Sequence, residues 1–163
     1  MQTAEFDAKM VMIEQGSRVE IMYPNLFKGL GHKPKDLSKY DVPLVRFDGK
    51  TIVLRSMIRL LVQTGEEVVN ADFIIVEAYS PYMAILVRPW LHALEVVSLT
   101  LHVKLKHPTE GGVGELLGYQ AVARQCMVEQ SGTKPLKLAP QIQILPIATS
   151  ARHASLLGFF SIV

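Results

Sequence analysis

Glu14-Gln15-Gly16-Ser17 is the stretch of this chain best equipped to do chemistry. Three apolar residues, Val11-Met12-Ile13, run straight into it, and a second apolar segment follows over Val19–Tyr23. As local physics this is a strand, a tight turn at Gly16 and a return segment. A carboxylate at a strand end, followed by a glycine-hinged turn and a hydroxyl, can hold an acid still. A surface hairpin carrying one charged residue has the same local pattern.

The other reactive side chains form weaker constellations. Gly111-Gly112-Val113-Gly114 resembles a phosphate cradle only superficially, because Leu117 stands where the dinucleotide fingerprint needs glycine, and a hairpin turn accounts for it. His92, His102, His107 and His153 lack metal-ligand spacing with carboxylates or with Cys126, so no metal site and no cofactor are expected. Cys126 is the only cysteine, which rules out an internal disulfide and fits a reducing compartment. It reads as a small buried apolar residue. Trp90 and Tyr82 are expected to pack in the core, and Ser17 has no partner pattern for a serine hydrolase.

The elements that must position Glu14 come from a chain of 163 residues, one ordinary domain with 49% hydrophobic and 20% charged residues. A net charge of +2 is too small and too scattered to argue for nucleic acid or an anionic membrane. Lys33, Lys35, Lys39, Lys104 and Lys106 read as solvated faces. The first residues form neither a basic leader nor an apolar signal core, and no apolar run is long enough to span a bilayer. An intracellular, cytoplasmic location is expected.

Along the chain, Met10–Ile13 and Val19–Tyr23 read as strands. A short helix over Leu26–Leu30 starts at Pro24-Asn25 and is stopped by Gly31. His32–Tyr40 is a loop with one helical turn. Leu44–Phe47 and Thr51–Leu54 form a hairpin about a two-residue Asp48-Gly49 turn. Met57–Val62 and Val68–Glu77 are strands joined at Thr64-Gly65, the second covered on both faces at one end. Ala84–Val87 is a short strand, and Pro89–Leu94 is a helix with proline in its first turn. Leu99–Leu105 and Val113–Leu117 follow, joined through Glu110-Gly111-Gly112. Many short strands punctuated by glycine and proline argue for an all-β barrel or sandwich. After Val128 the character changes: Ser131–Pro146 carries three prolines among aliphatics. Residues 129–163 read as a poorly specified tail behind a domain at 8–128.

Ile13-Glu14-Gln15-Gly16-Ser17, followed by Glu20-Ile21-Met22-Tyr23-Pro24, resembles the Asp-x-Gly-Ser active-site loop of retropepsin-like aspartic proteases, in the version carried by plant gypsy-type LTR retrotransposon polyproteins. Gly29-Leu30-Gly31, Leu37 to Asp41, Pro43-Leu44-Val45 and Phe47-Asp48-Gly49 match in order. The most distinctive match is Ala78-Tyr79-Ser80-Pro81-Tyr82 with Ala84-Ile85-Leu86-Val87-Arg88-Pro89-Trp90-Leu91-His92. Ser98 to Lys106 and Ala123 to Cys126 continue it, so the similarity covers roughly residues 10–128. The resemblance implies a small closed barrel with one short helix after the Ile85–Arg88 strand. It also implies a catalytic loop at Glu14, Gly16 and Ser17, backed by Ile85, Leu86, Val87 and Arg88. A substrate-covering hairpin over Asp48–Leu60 would have Asp48, Gly49, Lys50, Thr51 and Ile52 at its tip. Its implied function is peptide-bond hydrolysis in the element's own polyprotein by a homodimer, one acid per chain, with no membrane or nucleic-acid partner.

Several residues depart from the family pattern. Glu14 stands where the family has aspartate, and its extra methylene moves the carboxyl by about 1 Å, a misplacement that can cost about 100-fold. Gln15 replaces a hydroxyl residue that ties two loops together across the dimer. Arg18 is expected to pair with Glu14 and hold it ionised. Val87 and Ser56 stand where relatives have glycine, and the strand before Met10 is short. Together these changes read as a pseudoenzyme, weak or inactive. The rival expectation is a non-catalytic β-barrel remnant or dimerisation module.

Overall fold

The computed structural model describes residues 11–45, 49, 51–53, 56–99, 103–118, 142–146, 156–158 and 160–162. In chain order they form β1 (Val11–Ile13), β2 (Glu20–Met22), helix α1 (Pro24–Gly29), a 3-10 turn over Pro34–Asp36, β3 (Ser38–Lys39), β4 (Pro43–Val45) and β5 (Thr51–Val53). Then come β6 (Ser56–Thr64), β7 (Glu67–Ile75), β8 (Ala84–Leu86), helix α2 (Arg88–Ala93), β9 (Val97–Leu99), β10 (Lys104–Thr109) and β11 (Gly112–Leu117). The last strands are β12 (Ile142–Pro146), β13 (Leu156–Gly158) and β14 (Phe160–Ile162).

Proline and glycine set the local boundaries. Pro24 opens α1, and Gly31 follows its cap in the left-handed region at φ 73°. Pro89 lies in the first turn of α2, where the missing N–H costs nothing. Gly65, at φ 60°, is the first residue of the two-residue loop between β6 and β7, with Thr64 paired to Glu67. Glycine there supplies a turn whose twist suits the hairpin. In β7, Phe73 and Ile74 are both buried although they point to opposite faces, so this end of the strand is covered on both sides.

The main sheet runs β13-β12-β6-β7-β2-β8-β1-β14, with β3 added to β6 through Ser38↔Met57. β9, β10 and β11 form a second sheet, and β4 with β5 a third. The structure is therefore mostly β, with two short helices among the described residues. No pairing joins β13 to β14 among the described residues, so the described strand order is open and barrel closure is not part of it. The core is built from one face of this sheet: Ile13, Met22, Leu60, Phe73 and Leu86 are all fully buried, and Trp90 of α2 is fully buried with them. Tyr82 is buried too, at 7% exposure.

Three local expectations are corrected. Val11–Tyr23 is not a hairpin, because β1 and β2 do not pair with each other: β8 lies between them, parallel to β1 and antiparallel to β2. The β4–β5 register pairs Val45 with Thr51 and leaves five residues between them. An odd number cannot be closed by a regular two-residue turn at Asp48-Gly49. Gly49 is left-handed, at φ 78°, while Asp48 and Lys50 lie outside the described residues. Leu99–Leu105 is not one strand, since β9 ends at Leu99 and Val103 adopts φ 51° before β10 begins. A β-branched residue in that region is strained, and the chain bends there.

From the stretch after Val128, β12 pairs antiparallel with β6 (Ile144↔Val62) and β14 pairs parallel with β1 (Met12↔Ser161). Cys126, His102 and His153 lie outside the described residues.

Candidate active site

The insertion of β8 between β1 and β2 dictates the shape of the Glu14 loop. Residues 14–19 must cross two strand spacings, about 10 Å, and pass over the end of β8 where the chain turns into α2. Six residues reach farther than that, and the slack lets the loop curl on itself.

It curls around its own carboxylate. The Gly16 N–H donates to Glu14 Oε1 at 2.7 Å, and the Ser17 hydroxyl donates to Glu14 Oε2 at 2.6 Å. A Cβ on residue 16 would lie 2.5 Å from Glu14 Oε1, so only glycine leaves room for the carboxylate in this position. Glu14 and Ser17 are half-buried, while Gln15, Gly16 and Arg18 are exposed. Hydrogen bonds of this kind to a carboxylate are short and geometrically specific.

The loop is fastened to β8 and α2 at three points. The Glu14 N–H donates to the Leu86 carbonyl at 3.0 Å, and the Arg88 N–H donates to the Ser17 carbonyl at 3.4 Å. Arg88 Nε donates to the same Ser17 oxygen at 3.1 Å. Ile85 is paired on both sides, with Met12 and with Ile21. Val87 is fully buried in extended conformation at φ −131°, immediately before α2. The structure thus joins Glu14 to Leu86 and Ser17 to Arg88, while Ile85 is held in the strands that flank the loop and Val87 links Leu86 to Arg88.

Among the described residues the expected flap is not joined to them, and Asp48 and Lys50 lie outside those residues. Gly49 and Thr51 are exposed, Ile52 lies within β5, and among the described residues no hydrogen bond or ion pair links the β4–β5 ribbon to residues 14–17. The expected Arg18–Glu14 ion pair is also absent among the described residues. Intraloop donors at two and three residues' separation satisfy the carboxylate first, and the Arg18 side chain stays in solvent.

A second acid, Glu20, was not singled out as a site residue from sequence. The residue is 1% exposed, and its Oε1 accepts the Trp90 peptide N–H at 2.8 Å. Burial pushes its pKa up to about 7, opposed by the Trp90 and Val87 peptide groups and assisted by the negative charge of Asp72. The signal was present in β2: Glu20 shares the inward face with Met22, so the period-2 pattern places a carboxylate in the core.

The remaining clusters offer less. Among the described residues no group of three His, Cys, Asp or Glu side chains is arranged to hold a metal. No described helix is long and apolar enough to cross a membrane. Gly114 faces His107, whose ring would lie 2.5 Å from any Cβ there, so one glycine of the Gly-Gly-Val-Gly stretch serves strand packing. A cleft of about 300 Å³ between β7, the end of α2 and the β10–β11 ribbon contains none of the Glu14 loop residues.

No protein-family model matches this chain, and no curated protein matches it.

Proposed function

We propose that this chain is a retropepsin-like aspartic endopeptidase domain of a gypsy-type retrotransposon polyprotein, with its catalysis impaired. The observation that carries the proposal is the Glu14 carboxylate, held by the Gly16 N–H and the Ser17 hydroxyl in a loop fastened across the end of β8. Such a clasp fixes an acid and leaves it half-exposed, where a substrate can reach it.

One acid is half a site. Two copies of the chain would bring two Glu14 carboxyls together, and at about 3 Å they could not both ionise and would share a proton. The ionised one takes a proton from water as the water attacks the peptide carbonyl. The protonated one donates to the carbonyl oxygen. The closed barrel, the β4–β5 ribbon as flap and the polyprotein substrate belong to the same proposal. Impairment follows from the extra methylene of Glu14, present in both halves of a homodimer.

A second reading, a β module that pairs without cutting, is favoured by one feature. Both Glu14 oxygens are already engaged within their own loop, and the longer side chain can remain folded back there.

Solution mass tests the shared premise. Sedimentation should give twice the 18.1 kDa of the chain, with acid-pH peptide cleavage confined to the dimer. A chain that stays monomeric at all concentrations and cuts no peptide contradicts the endopeptidase proposal.

A further inference from the structure

Glu20 is buried between the helix that follows β8 and the strand that leaves the Glu14 loop. Its Oε1 accepts the Trp90 peptide N–H, while its Oε2 is buried and has no hydrogen-bond partner among the described residues. Of the elements around it, β8 is wholly apolar, and among the described residues no charged group on β7 or α2 forms an ion pair with it. Asp72 of β7 is negative and is tied to Arg59 of β6 by two hydrogen bonds, at 2.6 and 2.7 Å. Arg88 of α2 spends its Nε on the Ser17 carbonyl. Glu14, at the far end of the loop, is held by Gly16 and Ser17. A carboxyl in this setting holds a proton more readily than one in water.

We propose that Glu20 is a positioning residue for Glu14, acting through α2: it ties the Trp90 peptide to β2, α2 presents Arg88 to Ser17, and Ser17 carries the Glu14 carboxylate. The contacts run without a gap from Trp90 N–H on Glu20, through the first turn of α2, to Arg88 on Ser17 and the Ser17 hydroxyl on Glu14. The positioning role concerns the loop's geometry. Only its consequence for turnover rests on the endopeptidase reading.

Amide hydrogen exchange on the full chain, in wild type, Glu20→Gln and Glu20→Leu, tests it. Glu20→Gln keeps a neutral acceptor at Oε1 and should leave the Gly16 and Trp90 amides protected as in wild type. Glu20→Leu should speed exchange of the Gly16 amide roughly tenfold while the β6–β7 amides stay protected. Loss of protection at Trp90 with no change at Gly16 would overturn the proposal and leave Glu20 a local cap. Should Glu20→Leu not fold, a wild-type titration decides. The Gly16 amide shift should show an inflection shared with the Glu20 carboxyl carbon, and its absence would overturn the proposal. In a Glu14→Asp background that cleaves peptide, Glu20→Leu should lower kcat and leave KM unchanged. A Glu14→Asp chain with no turnover would count against the endopeptidase reading alone, since the exchange result does not depend on it.

Discussion

Arg88 Nε donates to the Ser17 carbonyl oxygen across 3.1 Å, tying together residues 71 positions apart. With the Arg88 peptide N–H on the same oxygen, this makes the first turn of α2 the anchor of the acid-bearing loop. Arg88→Met keeps the aliphatic stem and the peptide donor but removes the guanidinium. It should cost about 1 kcal/mol of stability in urea unfolding and raise exchange of the 15–18 amides more than those of β6 and β7.

Gly16→Ala tests the clasp itself. The new Cβ meets Glu14 Oε1, the far end of a flexible side chain, so the carboxylate should swing away and the fold should survive. Thermal unfolding should shift by less than about 1 kcal/mol, while residue 16 loses the downfield amide shift that its hydrogen bond to Glu14 gives it. An unchanged amide shift would mean that Glu14 is not held as described.

Stability should fall as pH rises through the range set by Glu20. Below its ordinary value of 4.5 the carboxyl is protonated both folded and unfolded. Between 4.5 and about 7 the unfolded chain ionises while the folded chain does not, so each pH step favours unfolding. Above about 7 both forms are ionised and the loss levels off, at no more than about 3 kcal/mol. Urea midpoints measured from pH 4 to 8 should show this fall in wild type and a flatter profile in Glu20→Gln.

β12 and β14 pair with β6 and β1, and this pairing has a measurable consequence. A chain ending at residue 128 should lose protection at the Leu60–Thr64 amides and at Val11–Ile13, and should unfold at least about 2 kcal/mol more easily. Unchanged unfolding would agree with a tail that contributes nothing to the fold.

Much of the local structure was legible from residue types. Pro24 with Gly31 bounded α1, Pro89 marked the start of α2, and Gly65 marked the β6–β7 turn. Each of these acts through its own backbone, so a single residue carries the signal. Pairing across long separations was not legible. Nothing between Val11 and Tyr23 shows that Ile85 will be inserted between Met12 and Ile21, and the apparent hairpin became a loop crossing over a third strand. The β4–β5 register was missed because the Asp48-Gly49 pair fits more than one loop length. The left-handed Val103 was missed because its type opposes that conformation. At the site, the Glu14, Gly16 and Ser17 grouping followed from sequence. The Arg18 ion pair did not form because nearer donors within the loop satisfy the carboxylate. Glu20 was overlooked because a charged residue in an apolar run reads as an interruption until its face is known.

The central claim is that Glu14 occupies the position of a shorter catalytic acid. It is tested most directly by comparing acid-pH peptide cleavage by wild type and Glu14→Asp, with an aspartic-protease inhibitor as control. Glu14→Asp should cleave on the order of 100-fold faster than wild type, and the inhibitor should abolish the gain. A wild type already as fast as Glu14→Asp would contradict the claimed impairment, and a dimeric Glu14→Asp chain with no turnover would contradict the assignment of the acid.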